Sequence, residues 1–200
     1  RPAATIYVGD SAALLNDKID WKLKAISTQQ ATGFDLSWTA TGKLLQRDVA
    51  WHSFETNADG SNRVRLLEND AMIFSSLACG PGDVVTLGRV MEDNKPNVWS
   101  LNTVTGDLKQ LTFGVDVEKG HCTPDGKWMV YSDDQAAEGK LGTIYKVSTA
   151  GGSPVEVARG SRFAPPVSPD GTLIAYGLIE GQGASTKSKI VVQRLDDGVI

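Results

Sequence analysis

Gly120-His-Cys-Thr-Pro-Asp-Gly-Lys-Trp-Met-Val-Tyr-Ser132 is the stretch on which the fold turns. Pro124 presets φ near about −65°, the Asp125 side chain can hydrogen-bond its own backbone two residues on, and Gly126 accepts a positive φ. Together they read as a tight turn between two short strands. After the turn, Trp128 and Val130 sit at period two, which fits a half-buried strand. Thr143-Ile-Tyr-Lys-Val-Ser148 reads as a third strand. A Gly151-Gly152 hairpin then leads to a fourth, amphipathic strand at Val155-Glu-Val157.

The pattern recurs on both sides. Pro166-Val-Ser-Pro-Asp-Gly-Thr-Leu-Ile-Ala-Tyr176 with Lys189-Ile-Val-Val-Gln-Arg-Leu195 is a second clear copy. Leu36-Ser-Trp-Thr-Ala-Thr-Gly-Lys-Leu-Leu45 and Leu77-Ala-Cys-Gly-Pro-Gly-Asp-Val-Val85 begin two worn ones, without the Pro-Asp-Gly order. Aligned on Ala40, Pro81, Pro124 and Pro169, successive copies are 41, 43 and 45 residues apart. That period belongs to four-stranded β-propeller blades, which cannot bury both faces alone and must stack. The expected fold is therefore all-β. Four blades are expected over residues 33–74, 75–116, 117–160 and 161–200, in an incomplete ring from a six- or seven-bladed parent. Residues 1–32, with strand-like Thr5-Ile-Tyr-Val8 and Trp21-Lys-Leu-Lys-Ala-Ile26, are expected to complete a preceding blade. Both termini read as cuts within a longer protein.

Cys122-Thr-Pro-Asp-Gly-Lys127 and Val167-Ser-Pro-Asp-Gly-Thr172 resemble the Ser-Pro-Asp-Gly-Lys repeat of TolB-like propellers, and Asn97-Val-Trp-Ser-Leu-Asn102 with Lys109-Gln-Leu-Thr112 is similar to that family's third and fourth strands. Within the family, Trp128-Met-Val-Tyr-Ser132, Ile144-Tyr-Lys-Val147 and Pro165-Pro-Val-Ser-Pro-Asp-Gly171 look most like the propeller that follows the kinase domain in certain bacterial serine/threonine kinases. The resemblance implies a non-catalytic sensor or interaction region of a larger protein, outside the cytoplasm. It equally admits the gating propeller of a prolyl-oligopeptidase-like peptidase or a TolB-like periplasmic scaffold, because one architecture hosts all three.

Composition agrees with a folded globular domain. Apolar residues make up 40% of the 200 residues and charged residues 22%, as in ordinary globular domains. A net charge of −4 offers no field for nucleic acid, and no apolar run is long enough to make direct membrane contact as a span. Catalytic signatures fail in turn. Tyr7-Val-Gly-Asp-Ser-Ala12 resembles a hydrolase nucleophile block, but the only histidines are His52 and His121, and neither stands in the Asp-x-x-His that such a serine needs. His121 and Cys122 are strand neighbours facing opposite ways, so no metal is expected, nor any other cofactor. Kinase signatures and phosphate loops are absent, so the fragment itself is not read as an enzyme. Cys79 and Cys122 occupy matching places in adjacent repeats. They are expected as two small buried residues, with a disulfide as the less favoured alternative.

Function in such a fold would sit where the loops entering the inner strands converge. Those segments are Gln29–Phe34, Ala71–Ser75, Val115–His121 and Gly160–Phe163. They offer Asp116, Glu118, Lys119, His121, Arg162 and Phe163 as candidate binding residues. A mixed-charge rim with an aromatic suits a protein or peptide partner, or a small ligand at the channel mouth. The open blade faces of a partial ring are further expected to support self-association.

Overall fold

The computed structural model describes residues 4–8, 24–48, 50–67, 73–77, 79–90, 96–113, 120–133, 142–161, 163–180 and 187–196. They form four antiparallel sheets that follow the repeats. The first contains β1 (Ala4–Val8), β2 (Lys24–Trp38), β3 (Leu44–Asp48), β4 (Ser53–Thr56) and β5 (Val64–Arg65). The second contains β6 (Ile73–Leu77), β7 (Val84–Val90), β8 (Pro96–Asn102) and β9 (Leu108–Gln110). The third contains β10 (Gly120–Cys122), β11 (Trp128–Asp133), β12 (Gly142–Ser148) and β13 (Val155–Ser161). The fourth contains only β14 (Leu173–Glu180) and β15 (Lys187–Arg194), with an isolated bridge from Val167 to Ile174. Among the described residues the sheets do not close into a ring. The all-β, incomplete-propeller expectation holds.

The Pro-Asp-Gly turn forms as its chemistry dictates. Gly126, at φ 69°, donates its N–H to the Thr123 carbonyl at 2.8 Å, and Thr123 donates to the Trp128 carbonyl at 2.9 Å. Thr123 Oγ1 accepts the Trp128 N–H at 3.1 Å and donates to Asp125 Oδ1 at 2.6 Å. Asp125 Oδ1 also accepts the Lys127 N–H at 3.1 Å, so one carboxylate and one hydroxyl saturate the turn. A Cβ on Gly126 would lie 2.6 Å from the Gly80 carbonyl carbon, so the turns of successive sheets touch.

β11 differs from the half-buried strand expected of it. Met129 and Tyr131 pack in a cluster with Cys79, Val98 and Leu111 of the preceding repeat, whereas Val130 packs with Ile144, Ile174 and Tyr176 toward the following one. Both faces are buried because each sheet is sandwiched by its neighbours. A third cluster, of Leu45, Val85, Leu87 and Leu101, joins the first two sheets. Large side chains at alternate positions of the second strand thus supply each seam, and burying them is the main gain on folding.

One seam is covalent. Cys79 and Cys122 are disulfide-bonded, with Cα atoms 5.4 Å apart. The sequence reading preferred two unbonded buried residues. The stacking overturns that preference, because the ends of adjacent inner strands approach within bridging distance.

Two segments depart from the expected outline. The Thr5–Val8 strand hydrogen-bonds along β2, in the same sheet as β3–β5. Gln29–Phe34, expected as a loop, lies inside β2. The loop-like character survives as a register shift between Ala31 and Leu36, which pair with Asp48 and Gln46.

Candidate binding face at the inter-sheet connections

Strand pairing defines a common end of the sheets. Phe54 at the start of β4 pairs with Arg65 at the end of β5, so the β3–β4 turn and the connection from β5 to the second sheet emerge together. In the third sheet Gly142 pairs with Ser161, and Gly120 pairs with Tyr131 near the end of β11, so residues 120, 142 and 161 share the corresponding end.

Of the candidate residues, the structure brings His121 and Phe163 to this end. Asp116, Glu118, Lys119 and Arg162 lie outside the described residues. His121 is exposed on β10, opposite Val130, and desolvation draws its imidazole below the ordinary value. Phe163 is 79% exposed. Its backbone is anchored by Ser161, whose Oγ donates to the Phe163 carbonyl at 3.0 Å.

The best-defined feature of this end was not among the sequence candidates. It is the β3–β4 turn, Asp48 to His52. Asp48 Oδ1 accepts the N–H groups of Ala50 at 2.8 Å and His52 at 3.0 Å, and Oδ2 meets His52 Nδ1 at 3.1 Å. Burial alone would raise the Asp48 carboxyl, but these donors outweigh it and hold the group below its usual range. The turn places Trp51 at φ 71°, a left-handed conformation that a bulky residue rarely adopts. Trp51 keeps 37% of its surface exposed, with the Arg47 guanidinium carbon 4.3 Å from its ring centroid. Arg63 stacks on Phe54 at 3.4 Å, and Phe54 meets the His52 ring edge-on with centroids 6.5 Å apart. The sequence signal for this cluster is slight, being only an Asp at a turn start followed by an aromatic pair.

The arrangement suits recognition. Both oxygens of Asp48 are used by the turn that carries them. The buried Arg47 guanidinium backs the half-exposed Trp51 ring, and the exposed Arg63 guanidinium sits over Phe54, so aromatic and cationic groups stand side by side. Among the described residues, no group of three or more His, Cys, Asp or Glu side chains could hold a metal ion.

No protein-family model and no curated protein matches the sequence. Solved structures do match. A putative TolB from Agrobacterium tumefaciens superposes with a TM-score of 0.65 at 18% identity, over 88% of this chain and 62% of that one. TolB from Acinetobacter baumannii gives 0.61 at 19%, over 89% and 45%. The tricorn protease gives 0.66 at 15%, over 96% of this chain and 19% of that far longer one. The chain therefore spans less than two thirds of each of these proteins. At such identities the likeness is one of fold, and the fold is that of the TolB-like β-propellers.

Proposed function

We propose that this chain is a non-catalytic binding segment of a β-propeller, which engages a protein or peptide partner at the end where the inter-sheet connections gather. The observation that carries the proposal is the β3–β4 turn. A tryptophan held in a left-handed conformation by an aspartate-built turn, and backed by a stacked arginine, is local strain kept in place by its surroundings. Such strain is common where side chains are aimed at a ligand. Exposed Phe163 and His121 extend the same kind of surface to the third and fourth repeats. The four repeats over 33–74, 75–116, 117–160 and 161–200 act as rigid blades, and the loops between them supply specificity. Asp116, Glu118, Lys119 and Arg162 are the charged part of that rim.

The parent is a larger bacterial protein of the receptor-like serine/threonine kinase type, with the propeller as its extracytoplasmic sensor. The bonded cysteine pair fits an oxidising compartment, where such a bridge persists. The test is peptide-library selection on the immobilised chain, followed by titration of selected peptides against Trp51→Ala and Phe163→Ala. Losing one buried aromatic anchor predicts at least about tenfold weaker binding for Trp51→Ala. Selection of no peptide, or unchanged affinity in both variants, would contradict the proposal.

A further inference from the structure

The strand that enters the third sheet has few anchors of its own. β10 is three residues long, against five in β6. Its backbone pairs with β11 at Tyr131, Val130 and Met129. Its side chains add a single hold. Gly120 has none to offer, and a Cβ there would lie 2.8 Å from Met129 Cγ. His121 is exposed. Cys122 is the one side chain of β10 that packs on the apolar cluster of Val98, Leu111, Met129, Tyr131 and Val147, and it does so bonded to Cys79.

The two halves of the bridge differ in cover. Cys79 is 2% exposed, whereas Cys122 is half-buried. Around the bridge, the second and third sheets are joined by contacts that do not need it. The apolar cluster draws on both sheets, and the Gly126 turn lies against the Gly80 backbone. The Thr123 hydroxyl closes the turn after β10 independently of the cysteines. Cleavage would therefore leave the sheets stacked and the turn closed. What it would free is the short strand between that turn and the end where the connections gather.

We propose that the Cys79–Cys122 bond is a redox-sensitive latch, which a dithiol opens to release β10 and, with it, His121. A thiolate of the dithiol attacks the Cys122 sulfur, on the less covered residue, and Cys79 leaves as a thiolate. The reductant's second thiol then displaces Cys122 and closes the reductant's own disulfide. Two electrons pass to the bridge, and the reductant's two protons end on Cys79 and Cys122. That release of His121 alters partner binding rests on the reading of this end as a binding face; release of β10 itself does not.

Backbone 15N relaxation of the whole chain, before and after dithiothreitol under native conditions, tests this. Order parameters of His121 and Cys122 should fall from about 0.85 to below about 0.6, while those of β11 and β12 keep rigid values. Reoxidation should restore them. The Cys79→Ser/Cys122→Ser variant should match the reduced chain and ignore dithiothreitol. A bridge that dithiothreitol leaves intact in the folded chain would overturn the proposal, and so would a reduced chain whose β10 stays rigid. Loss of order spreading through β11 and β12 would also overturn it, because the bond would then be a staple of the whole seam. Failure of peptide selection would defeat the binding reading and leave the relaxation result to decide the latch.

Discussion

The turn that opens the third sheet and the turn that opens the first look unlike in sequence and alike in structure. The third is Thr123-Pro-Asp-Gly-Lys-Trp128 and the first is Thr39-Ala-Thr-Gly-Lys43, one residue shorter and lacking both Pro and Asp. In both, the glycine N–H returns to the carbonyl of the leading threonine, at 2.8 Å from Gly126 and 3.0 Å from Gly42. In both, that threonine's Oγ1 accepts the N–H of the residue that resumes the chain, at 3.1 Å from Trp128 and 3.0 Å from Lys43. Ser168 does the same for Leu173 at 2.9 Å. The hydroxyl and the glycine are the working parts of the motif. Proline and aspartate reinforce it, which explains how the worn first repeat still forms the same turn; the second, Gly80-Pro-Gly-Asp83, has no such hydroxyl and closes instead through the Val84 N–H to the Pro81 carbonyl.

The comparison can be broken most severely at the glycine. Gly126→Val sets a β-branched residue at positive φ and drives its Cβ into the Gly80 backbone, whereas a Cβ at Gly42 would meet nothing within 4 Å. Thermal unfolding should show Gly126→Val losing about 4 kcal/mol or failing to fold, with Gly42→Ala costing about 1 kcal/mol. Equal losses would mean that the two turns are not packed differently. The bond between Cys79 and Cys122 belongs to the same seam and closes a sequence separation of 43 residues. Reduction, or the Cys79→Ser/Cys122→Ser double variant, should cost about 3 kcal/mol and lower the melting temperature by several degrees. Peptide mapping without reductant should recover the linked pair; two free thiols would remove the staple from the account.

Smaller effects sharpen the comparison. Thr123→Val and Thr39→Val should each lose about 1–2 kcal/mol in denaturant titrations, the former slightly more because Thr123 Oγ1 donates to the Asp125 carboxylate, whereas Thr39 Oγ1 meets only the Thr41 hydroxyl. If only Thr123→Val is destabilised, the hydroxyl is not the shared part. Finally, hydrogen bonds first from the Ser168 hydroxyl and then from Thr172 pull the exposed Asp170 carboxyl down to about 2. A carboxyl depressed in the folded state stabilises above its ordinary value of about 4, and that contribution disappears as pH falls toward about 2. The melting-temperature gap between the unsubstituted chain and Asp170→Asn should therefore close over this window; a gap that persists below it would come from something other than the charge.

Most of the architecture was legible because a turn motif recurring every 41 to 45 residues is a statement about the whole chain. What stayed hidden depended on distances between repeats. The 43-residue separation of Cys79 and Cys122 does not encode a 5.4 Å approach, which only stacking supplies. Burial of both faces of β11 has the same cause. Of the residues expected at the end where the inter-sheet connections gather, His121 and Phe163 stand there. Trp51 was not legible, because its left-handed backbone follows from the Asp48 side chain folding back on Ala50 and His52. The expected loop at Gln29–Phe34 was read from its place in the repeat, whereas pairing with β1 and β3 holds it as strand.

The central claim is that the repeats stack as successive sheets through three apolar seams. Methyl nuclear Overhauser contacts test it most directly. The account predicts cross-peaks across every seam, from Leu45 to Val85 or Leu87, from Val98 to Met129, and from Ile144 to Ile174. Strong contacts within each repeat but none between repeats would contradict it.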